Sequence, residues 1–268
     1  MEHISDIKQI DDIFGRYFKK GTITNSYLLE DSFKSLISKG HLHCTFGINN
    51  CCLLMKESEF FQLHYFINDL KENLNIDTDF PVVIEILYRG ESQKPVDVFN
   101  FWLNNNFERY LTRDNYSLSY VKRDSEQVLL PQLKIKAADT ESEIKFCYEL
   151  IKTTFDLFTG DIPGLDEIEK DAMGEKILCA YSDGTLSGVL RHELKNNTAW
   201  LNHIAVKSEF RGKGISSALV NAFISYYYNT GNSRFMLWVE QNNFKAISLY
   251  TKFGFIYSNK SSASFLRY

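Results

Sequence analysis

The sequence lacks any long uninterrupted apolar segment, and charge of neither sign dominates it. No segment approaches the roughly eighteen consecutive apolar residues that a membrane-spanning helix needs. The 268 residues carry 30 Lys and Arg against 34 Asp and Glu, a formal net charge of -4, with both signs mixed along the chain. Such a mixture of charges predicts no positively charged surface large enough to bind nucleic acid. Because no apolar stretch follows a basic start, we expect a cytoplasmic protein with neither nucleic acid nor membrane as partner.

Patterns typical of metal ligands are also missing. The five cysteines show neither C-x-x-C spacing nor a neighbouring set of histidines suited to zinc; they are Cys44, Cys51, Cys52, Cys147 and Cys179. Free cysteines behave as small apolar side chains, and a cytoplasm keeps them reduced. We therefore expect structural thiols and no bound metal.

The length is sufficient for two domains of ordinary size. The best candidate for a boundary is the charged, polar segment around Pro131. We place an N-terminal domain at residues 1–125, a linker at 126–132 and a C-terminal domain at 133–268.

The second half alternates strand and helix patterns in a definite order. The expected elements are a strand at 133–137, helices at 140–155 and 165–173, strands at 177–181, 186–194 and 200–206, a helix at 214–228, a strand at 235–240, a helix at 243–253 and a final strand pair. Asp183-Gly184 and Asn196-Asn197 tolerate the positive φ angles of tight hairpin turns. The three middle strands should therefore be antiparallel neighbours.

A glycine loop, Arg211-Gly212-Lys213-Gly214, follows the strand that ends at Val206 and opens the next helix. Glycine lets the backbone approach a ligand closely, and the amides of a helix start favour a phosphate. Arg211 and Lys213 add positive charge at its rim. The spacing fits neither the G-x-G-x-x-G of dinucleotide sites nor the G-K-[ST] ending of nucleotide-phosphate loops. The loop is a candidate phosphate site of another kind.

Two motifs resemble the GNAT superfamily of acetyltransferases. Residues 211–216 (RGKGIS) are similar to its [QR]-x-x-G-x-[GA] fingerprint, with Ser216 in place of the final Gly or Ala. Residues 243–255 (NFKAISLYTKFGF) are similar to its N-x-x-A-x-x-L-Y-x-K-x-G-F motif. The resemblance covers the second half and implies an α+β (mixed α/β) fold with a central, mostly antiparallel sheet flanked by helices. It also implies an N-acetyltransferase that uses acetyl-coenzyme A as cosubstrate.

The resemblance further implies residue roles. The strand before the loop would pair with the pantetheine arm through the backbone of Ile204, Ala205 and Val206. The pyrophosphate would be held by the loop and the helix start, which comprise Arg211, Gly212, Lys213, Gly214, Ile215 and Ser216. Asn243 would reach the arm, although an N-cap role in its own helix is equally open. Tyr250 corresponds to the general acid that protonates the departing thiolate.

The general base is less well defined. An alkylamine has a pKa of about 10.4, so the attacking nitrogen must lose a proton. His203, with an ordinary pKa of about 6.5, and Glu240 are candidates, and each has an ordinary strand residue as its alternative. Trp238 stands where the ribosomal N-terminal acetylating branch of the family has a Glu, which counts against that branch.

The acceptor is expected to be a primary amine of a small molecule or peptide, attacked directly in a ternary complex. Acidic residues such as Asp161 and Glu167 suit a cationic amine, but acidic runs are also ordinary solvated helix faces. Self-association into a homo-oligomer stays open. The alternative function is a non-catalytic acyl-coenzyme A-binding or scaffold protein.

The first half repeats part of the second motif. Residues 101–107 (FWLNNNF) stand at the end of an expected helix as residues 249–255 (LYTKFGF) do. This is either a chance match or the mark of a degenerate, smaller GNAT-like domain preceding the catalytic one, and we favour the latter. Between Leu70 and Phe80 there is neither a glycine loop nor room for a four-turn helix, so this copy should not hold a pyrophosphate. We expect residues 1–125 to shape the acceptor pocket or an interface.

Overall fold

The computed structural model describes residues 1–119 and 132–268. The chain divides into two compact units: the first contains Met1–Thr112 together with Lys260–Tyr268, and the second contains Arg113–Asn259. This division differs from the predicted boundaries, because residues 113–118 belong to the second unit and residues 260–268 to the first. The predicted linker at 126–132 lies outside the described residues except for Gln132.

The first unit combines helices with a mostly antiparallel sheet. Its helices are α1 (Ile7–Tyr17), α2 (Glu30–Ser38) and α3 (Val96–Asn104), and its strands are β1 (Glu2–His3), β2 (Ile23–Thr24), β3 (Leu42–Phe46), β4 (Cys51–Lys56), β5 (Phe61–Ile67) and β6 (Val82–Tyr88). The strand order is β1-β3-β4-β5-β6, with β2 beside β5. The end of the chain's last strand, residues 261–267, pairs with the other edge of β6.

The second unit is built in a similar way. Its helices are α4 (Glu141–Thr154), α5 (Leu165–Met173), α6 (Ile215–Asn229) and α7 (Phe244–Lys252), and its strands are β7 (Glu108–Leu118), β8 (Leu133–Ala137), β9 (Ile177–Ser182), β10 (Thr185–Lys195), β11 (Thr198–Val206), β12 (Phe235–Glu240) and β13 (Ile256–Arg267). The division between the units falls within β7 and within β13. The strand order β7-β12-β11-β10-β9-β8 is antiparallel except for the pair β11–β12. The predicted mixed α/β class with a mostly antiparallel sheet is confirmed.

Turn chemistry fixes the register of the three middle strands. Asp183 and Gly184 have φ angles of 51° and 76°, and Asn196 and Asn197 have 50° and 57°. Both pairs are two-residue hairpin loops, as their sequences predict. The predicted final strand pair is wrong, because β13 is one strand with Asn259 at a φ of 60° inside it. The strand beside β12 is instead β7, far back in the sequence.

Two apolar layers cover the sheet of the second unit. One contains α6 and α7 side chains, including Leu219, Phe223 and Tyr250, packed on Leu201 and Leu237. The other contains α4 and α5 side chains, including Ile151 and Ile168, packed on Ala205 and its neighbours. The five cysteines of the chain are buried and unbridged. Within the two described ranges, no helix is long and apolar enough to span a bilayer.

Candidate functional site

The parallel strands β11 and β12 pair at three positions, from Ala199 opposite Phe235 to Leu201 opposite Leu237. Each strand continues beyond this point with its other edge paired, β11 to β10 as far as Val206 and β12 to β7 as far as Glu240. The two strands therefore part, and a gap opens between residues 202–206 and residues 238–240. We refer to this gap as the notch.

A β-bulge lies where the notch begins. On β10 the consecutive residues Arg191 and His192 face His203 and Leu201, so Asn202 is the extra residue on β11. A bulge bends its strand and increases the local twist. It thereby turns the end of β11 away from β12 and accounts for the place at which the notch opens.

The notch borders the backbone of β11, while the side chains there belong to the core. Ile204 and Val206 join the layer that contains α6, and Ala205 joins the layer that contains α4 and α5. Since β11 uses one edge for β10, the amides and carbonyls of its other edge face the notch. The backbone of Ile204, Ala205 and Val206 thus borders the notch, and its contact with a pantetheine arm stays a prediction.

The glycine loop has the geometry of an anion site. Gly212 and Gly214 both have a φ of 79°, a backbone region that favours glycine. The absence of a side chain at these two positions lets a ligand approach the backbone closely. Gly214 is also the N-cap of the 15-residue helix α6 and provides no side-chain cap, so the first-turn amides of α6 remain available to a ligand.

Positive side chains and open space adjoin the loop. Arg211 Nε donates to the carbonyl of Val206 at 3.2 Å, which holds this cation at the end of β11. Lys213 Nζ lies 4.9 Å from the ring centre of Phe210. Beside Arg211 is an open cleft of about 400 Å³, lined by Phe146, Glu149, Leu150, Thr153, Thr154, Val206, Lys207, Ser208, Glu209 and Arg211. The cleft leaves room for a ligand to approach the loop from the side of α4.

Tyr250 presents a buried, protonated hydroxyl. Its side chain on α7 is 4% exposed, and burial raises the pKa of the phenol well above its ordinary value. Among the described residues, no group accepts a hydrogen bond from this hydroxyl. A buried Tyr hydroxyl usually has a partner. Tyr250 therefore has the state required of a proton donor to a ligand, and its catalytic role stays a prediction.

Asn243 performs the structural role that the sequence left open. Its Oδ1 accepts a hydrogen bond from the amide of Ala246 at 3.1 Å and caps α7. The side chain is exposed. A contact between Asn243 and the cofactor arm stays a prediction.

The two candidate bases differ in access. His203 is 2% exposed, its Nε2 donates to the carbonyl of Gly160 at 2.8 Å, and burial lowers its pKa. Its imidazole is therefore neutral and enclosed. Glu240 is half-buried at the end of β12, on the sheet face that also carries Trp238. The structure places both beside the notch, and neither role as base is tested.

Sequence reasoning missed the loop that joins α4 and α5 and one residue that holds it. Arg113 Nη2 donates to the carbonyl of Thr159, next to the Gly160 carbonyl that His203 reaches. The sequence places Arg113 in the predicted N-terminal domain, because no local signal links β7 to β12. The bulge at Asn202 likewise has no signature in the sequence.

Comparison with known proteins agrees with this geometry. Residues 144–255 match the model of the acetyltransferase (GNAT) family. An uncharacterized N-acetyltransferase of Methanocaldococcus jannaschii is 39% identical over 61 residues, which cover 23% of this chain and 27% of that protein. The match thus spans about a quarter of that relative's length.

Two solved structures share the fold. A GCN5-related N-acetyltransferase from Sphaerobacter thermophilus has a TM-score of 0.62 at 11% identity, covering 81% of this chain and 76% of that one. A tandem GNAT protein from the clavulanic acid biosynthesis pathway has a TM-score of 0.55 at 9% identity, covering 97% and 94%. The family match contains the glycine loop and Tyr250. Residues 144–255, which lie in the second unit, thus contain an acetyltransferase (GNAT) family domain.

Proposed function

We propose that the second unit transfers the acetyl group of acetyl-coenzyme A to a primary amine of a small molecule or peptide. The observation that carries this proposal is the notch beside the start of α6. The free edge of β11 suits the amide groups of the pantetheine arm, which can add to it as a strand would. The amides of the glycine loop and the helix start suit the diphosphate, because both direct partial positive charge at one point.

The reaction proceeds by direct attack in a ternary complex. The neutral amine nitrogen forms a bond to the thioester carbonyl carbon, and the bond from that carbon to sulfur breaks. The departing thiolate takes the proton of Tyr250, and the nitrogen releases a proton to complete the amide. Because the amine attacks the thioester itself, no side chain of the enzyme becomes acylated. Of the two candidate bases, Glu240 is the better placed to accept the nitrogen's proton, since its side chain is half-buried and that of His203 is enclosed.

The first experiment separates an enzyme from a binding protein. Calorimetry with acetyl-coenzyme A is followed by a thiol-release assay over a panel of primary amines: glucosamine, spermidine, lysine and a short peptide with a free N-terminus. We expect binding and release with at least one amine. Binding without release on any amine would favour the alternative, a non-catalytic acyl-coenzyme A-binding protein.

The second experiment tests the proton donor. Tyr250→Phe removes the hydroxyl and should lower the rate by about 10²-fold or more, the usual contribution of general acid catalysis, with unchanged affinity for acetyl-coenzyme A. Tyr226→Phe, at an exposed position of α6, is the matched control and should leave the rate unchanged. An unaltered rate for Tyr250→Phe when chemistry limits turnover would remove Tyr250 from the mechanism.

A further inference from the structure

The loop between α4 and α5 is fastened to the sheet at two consecutive carbonyls. His203 Nε2 donates to the carbonyl of Gly160 at 2.8 Å, and Arg113 Nη2 donates to the carbonyl of Thr159. His203 belongs to β11 and Arg113 to β7, the two strands that flank β12. The loop therefore crosses the end of β12 between the two donors.

Both donors project from the sheet face that α4 and α5 cover. The ring of His203 packs edge-to-face on Phe155 at the end of α4, with centroids 4.7 Å apart. Arg113 is directly opposite Glu240, and residues opposite each other in neighbouring strands share a face. Val239, between Trp238 and Glu240, points to the other face, into the layer of α6. The loop thus lies over the side of the notch that Glu240 borders.

The fastened segment is a compact preformed turn. Asp156 Oδ1 accepts hydrogen bonds from the amides of Phe158 and Thr159 at 3.1 and 3.0 Å, and from Thr159 Oγ1 at 2.8 Å. The amide of Gly160 donates to the carbonyl of Asp156 at 2.8 Å, and a Cβ at Gly160 would lie 2.3 Å from that oxygen. Residues 156–160 therefore hold one shape, and the two outside donors fix where that shape lies.

The bonding of His203 defines what it can do. Its Nε2 proton is engaged by Gly160, and Nδ1 is buried with no partner among the described residues. Besides burial and the bond to Gly160, the charges of Arg191 and Arg113 lower the pKa of the ring and that of Asp161 raises it. Any influence of this enclosed, neutral ring on chemistry passes through the turn that it holds.

We propose that His203 is a positioning residue: with Arg113 it fixes the turn at residues 156–160 over the notch, and so sets the space in which the acceptor amine meets the thioester. This role rests on the proposed function. It requires a hydrogen-bond donor at the position of Nε2 and no change of protonation during turnover.

The matched pair His203→Gln and His203→Leu separates positioning from proton transfer. The Gln amide donates from nearly the place of Nε2 but is not a base, and Leu has similar bulk without a donor. We expect H203L to raise KM for the reactive amine of the panel about tenfold or more, since small misplacements near a reacting centre cost this much. Its affinity for acetyl-coenzyme A should stay within about twofold, and amide hydrogen exchange at residues 156–160 should accelerate. H203Q should recover most of the loss and keep the pH–rate profile of the parent enzyme.

Arg113→Met and Arg113→Lys test the second donor, which bonds the carbonyl of Thr159. This pair of variants still tests the proposal if H203L does not fold. R113M should raise KM for the amine and loosen residues 156–160, and R113K should recover part of both effects. Equal impairment of H203Q and H203L with loss of one limb of the pH profile would make His203 a base and overturn the proposal. Unchanged KM and exchange in H203L and R113M would also overturn it. Absence of thiol release by the parent enzyme on every amine would instead overturn the proposed function.

Discussion

Both units contain a parallel strand pair that separates after three paired positions, and they differ in what occupies the gap. In the first unit β5 and β6 pair from Phe61 opposite Val82 to Leu63 opposite Ile84 and then part. As in the second unit, the outer edges of both strands stay paired beyond that point. In the first unit, however, the short strand β2 lies along the end of β5. The gap is occupied by the protein's own chain.

Asn25 completes this filling by side-chain hydrogen bonds to both strands. Its Nδ2 donates to the carbonyls of Leu63 and Glu85 at 3.1 and 3.0 Å. Its Oδ1 accepts from the amide of Tyr65 at 2.8 Å. The side chain of Asn25 thus bonds backbone groups on both of the separated strands. In the second unit, the corresponding backbone groups border the notch.

The connections after the first strand of each pair differ as well. Residues 68–81 join β5 to β6 without a helix, whereas residues 207–234 join β11 to β12 and contain the glycine loop and α6. The second unit therefore combines a parted strand pair with a free edge and an adjoining helix start, the two features on which the proposed coenzyme A site depends, and the first unit has neither. The shared strand pattern supports the proposal that the N-terminal region is a degenerate copy of the GNAT fold.

The largest effect is expected from the residue that fills the first gap. Asn25→Ala should lower the free energy of unfolding by about 3 kcal/mol, since three hydrogen bonds of about 1 kcal/mol each are lost at a half-buried position. Asn25→Asp should cost more, because a carboxylate would face two carbonyl oxygens. Denaturant unfolding measures both, and Ser26→Ala at the next position is the control. If N25A bound a second equivalent of coenzyme A, the first unit would contain a binding site that Asn25 blocks. The proposed difference between the two units would then be wrong.

A middle effect is expected at the glycine loop of the second unit. Gly212→Ala should weaken coenzyme A binding about tenfold, because an L residue disfavours the positive φ and its strain is relieved by turning the amides away. Gly184→Ala is a matched control, since both glycines have similar φ angles, 79° and 76°, and an added Cβ meets nothing within 4 Å at either. Calorimetry should find one equivalent per chain. Equal affinities of the two variants for coenzyme A would show that binding does not depend on the glycine loop.

The smallest effect is expected at Asn243. Asn243→Ala should cost about 1 kcal/mol of unfolding free energy, the usual value of an N-cap. Thr140→Ala removes the cap of α4, whose hydroxyl accepts from the amide of Glu143, and should cost a similar amount. If Asn243 also reaches the cofactor arm, N243A alone weakens coenzyme A binding, by about threefold for a lost exposed hydrogen bond. Equal affinities in the two variants would leave Asn243 with the capping role alone.

The sequence predicted features that local chemistry decides. The turns Asp183-Gly184 and Asn196-Asn197 set the strand register, and the glycine loop with its helix was placed within one residue of α6. The partner of β12 was not predicted, because pairing between distant strands leaves no local pattern. The bulge at Asn202 depends on register against β10, and the enclosure of His203 depends on the loop that covers it. The periodicity of apolar residues predicts neither the bulge nor the enclosure of His203.

The chain enters the second unit in β7 and returns to the first in β13. Glu85 of β6 and Ser262 of β13, whose side chains are hydrogen-bonded, are 177 positions apart. During synthesis on the ribosome, β6 would therefore lack its neighbour β13 until the whole second unit had been made. In that interval its unpaired edge could form non-native strand pairs. A proteolytic cut within residues 120–131 would separate β12 from β7 and β6 from β13 in sequence. Fragments made at that point should be recovered together or not at all.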